Sequence, residues 1–69
     1  MKQPINPNLK KLWNYCYAFE GENECFPTYA EIGEHFKYTP SNAQQGIKRL
    51  QKYGWVEKLD IPYRPWKTL

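Results

Sequence analysis

Apolar residues recur at helical spacing in three stretches of the chain. Leu9, Leu12, Trp13, Cys16 and Phe19 lie three or four apart, which predicts a helix over about residues 7 to 20. Asn6-Pro7 suits its start, because Asn caps and Pro is tolerated at the first helical position. GENECFP, residues 21 to 27, carries a Gly, an Asn and a Pro and reads as a loop. Thr28-Tyr29-Ala30-Glu31 has the form of a capping box, in which each side chain accepts the other residue's amide. It opens a second helix over about 29 to 36, with Ile32 and Phe36 inward. Gly33 costs ~1 kcal/mol against Ala within a helix, so a close helix crossing is expected there.

Lys37, Tyr38 and Thr39 form a short connection. Thr39 caps and Pro40 begins a third helix, which runs to about residue 53 and ends at Gly54 as a left-handed residue. Residues 55 to 59 read as a strand, 60 to 65 as a proline-stiffened loop, and 66 to 69 as a short return strand. The pattern predicts a single domain over 1 to 69, mainly α with a small β-hairpin: helix, helix, three-residue turn, helix, hairpin.

The third helix has two unlike faces. At ~100° per residue, Ala43, Ile47, Leu50 and Gly54 share a narrow arc. Ser41, Gln45, Lys48 and Lys52 share the opposite one. Asn42 and Arg49 flank that polar stripe on one side and Gln44 on the other. The outward face is amide and hydroxyl first and base later, with no acid. Acids are ordinarily favoured in a first turn, where the helix dipole is positive. Their avoidance fits a neighbouring polyanion, which carboxylates would repel. Amides can pair with the edge of adenine, while Lys48, Arg49 and Lys52 would meet phosphates, which set affinity and register.

Charge changes the picture by its distribution more than by its sum. The net charge is +3, from ten Lys and Arg against seven Asp and Glu. Residues 1 to 19 and 35 to 56 contain bases and no acid, while Glu20, Glu22, Glu24, Glu31 and Glu34 gather between them. A positive face and a negative edge are expected, the usual arrangement of a polyanion binder. No apolar run approaches the ~20 residues that span a bilayer, and the polar N-terminus lacks the form of a signal peptide. A cytoplasmic protein with reduced thiols and no membrane association is expected. Cys16 falls on the apolar face of the first helix, as a small core residue; a Cys16–Cys25 bridge remains open. Only His35 could join these cysteines at a metal, so neither a metal nor any other cofactor is expected. No nucleophile–base set, phosphate loop or carboxylate pair suggests an enzyme.

PTYAEIGEHFKYTPSNAQQGIKRLQKYGWVEKL, residues 27 to 59, resembles the N-terminal DNA-binding domain of the LexA repressor, a winged helix-turn-helix. The likeness rests on Pro27-Thr28, Ala30-Glu31-Ile32, Phe36, Pro40, Ala43, Lys48, Leu50, Gly54 and Glu57. The first helix and the hairpin agree in order and length more than in residues. The resemblance implies double-stranded DNA binding through the third helix, with contact positions falling on Thr39, Ser41, Asn42, Gln44 and Gln45. That family carries acids where this chain has Gln44 and Gln45, so base preference should differ. It carries Gly where this chain has Lys37, which would cost ~1 kcal/mol if left-handed. The protease half is not in this sequence, so no damage-sensing role follows. The small size suits a phage or plasmid regulator.

Further DNA contacts are expected from Thr28, Tyr29, Lys37 and Tyr38 around the second helix, with Tyr29 or Tyr38 bonding a phosphate, and from Arg64 at the hairpin tip. A homodimer on a two-fold site would raise affinity. The rival reading is a protein-interaction module that binds a partner protein through Trp66, Tyr63 and the other exposed tyrosines.

Overall fold

The computed structural model describes residues 2 to 61 and 64 to 69. Helix α1 covers Pro7–Asn23, α2 Tyr29–Phe36 and α3 Pro40–Lys52; strands β1, Val56–Lys58, and β2, Trp66–Thr68, follow. The strands pair antiparallel with Val56 opposite Thr68, Glu57 opposite Lys67 and Lys58 opposite Trp66.

All three helices start as the sequence suggests. The side chain of Asn6 accepts from the Leu9 amide at 2.8 Å. The Thr28–Glu31 box is complete, and Thr39 accepts from the Asn42 amide at 3.2 Å. The end of α1 differs from expectation. It continues through Gly21 to Asn23 and closes on Glu24, left-handed at φ 59°, whose amide donates to the Glu20 carbonyl. Gly21 lowers helix propensity, but local bonds favour continuation: Asn23 Nδ2 donates back to the Phe19 carbonyl. The Glu20 carboxylate is also tied to β2, accepting from both the amide and the hydroxyl of Thr68 at 2.8 and 2.9 Å. The predicted loop is shortened accordingly.

The core is a single cluster. Leu9, Leu12 and Cys16 of α1 meet Ile32 of α2, Ala43, Ile47 and Leu50 of α3, and Val56 and Trp66 of the hairpin, with Phe26 from the connection. Burying each large apolar side chain contributes about 1.5–3 kcal/mol. Trp13, Phe19 and Phe36, expected inside, are only half-buried. Cys16 is the core residue the periodicity indicated; both thiols are free, and burial, followed by the charge of Glu20, pushes the Cys16 thiol well above its ordinary value.

Two glycines permit close approaches. A Cβ on Gly33 would stand 2.5 Å from the Tyr38 carbonyl oxygen. The crowding neighbour is therefore the turn's own backbone, not the crossing helix expected from the sequence. A Cβ on Gly46 would meet Leu12 Cδ2 at 2.7 Å, which brings α1 close against α3. The turn itself is left-handed at Lys37, φ 61° and ψ 38°, and its amide donates to the Gly33 carbonyl. Gly54, at φ 82°, turns the chain after α3 as anticipated.

Candidate nucleic-acid interface

Helix α3 buries Ala43, Ile47 and Leu50 completely. That seating fixes the rest of its surface. Ser41, Asn42, Gln45, Lys48, Arg49 and Lys52 are all exposed, and Gln44 is half-buried at the edge. The turn adds Lys37, Tyr38 and Thr39, likewise exposed. The first turn of α3 contains no acid, and its last turn contains Arg49 and Lys52.

This face continues onto α1. A hollow of about 260 Å³ between the start of α1 and the outer side of α3 is lined by Asn6, Asn8, Tyr38, Asn42, Gln45 and Arg49, over a floor of Leu9, Leu12 and Gly46. No carboxylate lines it. Amide donors and acceptors, one phenol and one guanidinium converge there, a set suited to base edges and phosphate oxygens. A second hollow carries acids instead, with Glu31 and Glu34 beside Tyr15, Phe19 and His35. There the His35 ring stacks on Tyr15 at 4.1 Å between centroids.

Residues around the start of α2 prove mixed. Thr28 and Tyr29 are half-buried. The hydroxyl of Thr28 accepts from the Glu31 amide and serves the cap. The phenol oxygen of Tyr29 accepts from Trp66 Nε1 at 2.9 Å, which leaves its own proton available to a phosphate oxygen.

Arg64 departs most from its expected place. Its Nη1 donates to the Phe26 carbonyl at 2.8 Å and to Glu31 Oε1 at 2.7 Å. The guanidinium is folded against the body and braces the hairpin on α2; it is not displayed at a tip. Glu31 thereby receives the Thr28 amide and Arg64 together. The Thr28 amide bond lowers its carboxyl below the ordinary value; partial desolvation opposes this, and the Arg64 bond adds to the lowering.

One aromatic of the rival protein-binding patch is withdrawn from the surface. Trp66 is 6% exposed and belongs to the core, because it points inward from β2 and bonds Tyr29. Tyr63 lies outside the described residues. The most exposed large apolar side chain described is Tyr17, at 60%.

Sequence reasoning missed one basic feature. Lys2 and Lys10 both place Nζ over the indoles of Trp13 and Trp55. Lys10 and Trp13 share a helix face by spacing, but nothing in the pattern brings residues 2 and 55 together. Among the described residues, no helix is long and apolar enough to cross a membrane. The chain's sequence matches no known protein family and no curated protein.

Proposed function

We propose that this protein binds double-stranded DNA as a winged helix-turn-helix and acts as a small transcriptional regulator. In this reading α3 enters the major groove, and the hairpin is the wing. Ser41, Asn42 and Gln45 read base edges, with Gln44 at the margin. Lys48, Arg49 and Lys52, with Lys37, Tyr38, Thr39 and the Tyr29 hydroxyl, contact phosphates. Arg64 positions the wing through Glu31 and makes no DNA contact itself.

One observation carries the reading. The second of two helices joined by a three-residue turn exposes a continuous acid-free face, amide and hydroxyl first and base later. The resemblance of residues 27 to 59 to the LexA DNA-binding domain points the same way. Titration of a labelled duplex by fluorescence anisotropy tests it. Binding should weaken linearly in log–log terms as salt rises, and the paired change Gln45→Ala and Lys48→Ala should weaken it at least about tenfold. Salt-independent binding, or none at low salt, would refute it.

A further inference from the structure

The fold gathers a second basic cluster outside α3, from Lys2 and Lys10. Residues 2 to 6 run back along the molecule as a strap. The Gln3 amide donates to the Tyr53 carbonyl at 2.9 Å, and the Gln3 carbonyl accepts from Trp55 Nε1 at 2.6 Å. Trp13 Nε1 donates in turn to the Trp55 carbonyl at 2.9 Å. Both indole N–H groups are therefore engaged by backbone, and the rings are fixed edge to face, 5.3 Å apart at 75°.

Two ammonium groups sit on this fixed pair. Lys2 Nζ lies 4.8 Å from the Trp13 centroid and 4.9 Å from that of Trp55. Lys10 Nζ lies 5.2 and 4.3 Å from the same two centroids. The triangle through Trp55 keeps the ammonium groups within about 9 Å of each other, inside the ~10 Å screening length at 0.1 M salt. Across water at that distance they repel only weakly, and the indole faces hold both in place. All four residues come from the two acid-free stretches, 1 to 19 and 35 to 56. The nearest acid along the chain, Glu57, faces Lys67 across the hairpin. Both lysines are exposed, so an anion can reach them. Through Tyr53 the strap joins the end of α3, where Lys52 Nζ lies 5.8 Å from the Tyr53 ring.

We infer that Lys2 and Lys10, held on the Trp13–Trp55 pair, form a second phosphate clamp for the same duplex that α3 reads. This rests on the DNA-binding reading above. The clamp grips phosphodiesters flanking the reading site, beyond the end of α3. It adds affinity and footprint without sequence preference, because phosphate contacts carry no sequence information directly.

The test is the salt dependence of duplex binding by the full chain, wild type against Lys2→Gln with Lys10→Gln. Each lost phosphate contact lowers the log–log slope by about 0.9, so the double variant should lose roughly 1.8. Its ranking of DNA sequences should not change, and hydroxyl-radical protection should shrink on one flank only. Lys2→Arg with Lys10→Arg should restore the slope, and matching melting curves exclude misfolding. If the double variant keeps the wild-type slope while Lys48→Gln lowers it, the clamp is wrong and the α3 reading stands. If the wild type binds no duplex, both are wrong.

Discussion

Helices α2 and α3 each start from a threonine in nearly the same conformation, φ −73° and ψ 164° at Thr28 against φ −71° and ψ 156° at Thr39. Each threonine accepts from the amide three residues on, at 3.2 Å in both cases. The helices part at that third residue. In α2 it is Glu31, which reaches back to the Thr28 amide at 2.8 Å and completes the box. In α3 it is Asn42, exposed, and no acid stands in the first turn. Helix α3 forgoes a reciprocal cap and a favourable dipole interaction, worth about 0.3–1 kcal/mol. One helix start is arranged for stability. The other leaves an exposed surface free of acids, as the proposed DNA contact requires.

Substitutions at the paired positions separate these purposes. The largest effect is expected from Asn42→Glu, which gives α3 the box α2 has. Melting should show a gain of about 0.5 kcal/mol, while duplex affinity should fall by about 1–3 kcal/mol through the lost base contact and added repulsion. Equal affinity would mean that Asn42 faces no DNA.

Lys37→Gly comes next. Lys37 is left-handed, where a non-glycine residue costs about 1 kcal/mol. Glycine should raise stability by about that amount in chemical denaturation. It should also lower the salt slope of DNA binding by about 0.9, since one phosphate contact is lost. Higher stability with an unchanged slope would leave Lys37 a turn residue only.

Glu31→Gln should have the smallest effect at neutral pH and a distinct one in acid. The folded-state carboxyl is held below its ordinary 4.5. Its contribution is therefore present above that pH and lost as pH falls through the lowered folded value. The variant should show a flatter stability curve below about pH 4.5, read by melting temperature against pH, with DNA affinity near wild type at pH 7. An unaltered acid limb would remove Glu31 from the cause.

Much of this contrast was visible in the one-dimensional pattern. Caps, periodicity and the acid-free stripe depend on residues within four positions of each other, and α2 and α3 formed where those signals put them. The misses share a different cause. The extra turn of α1 is stabilised partly by Thr68, forty-eight positions from Glu20. The burial of Trp66 depends on its pairing with β1 and on Tyr29. Arg64 looked like a tip residue because Phe26 and Glu31 are distant in sequence and adjacent in space. The crowding at Gly33 was anticipated, yet its partner is a turn carbonyl that no side-chain pattern could reveal.

The central claim is that the exposed face of α3 is a DNA surface. The most direct measurement is anisotropy of a labelled random-sequence duplex from low to high salt, with wild type beside Gln45→Ala and Lys48→Ala. A DNA surface requires wild-type affinity to fall linearly with salt in log–log terms, and the paired variant to bind at least about tenfold more weakly. No wild-type binding at about 50 mM salt, where non-specific contacts are strongest, would contradict it, as would equal binding by the variant.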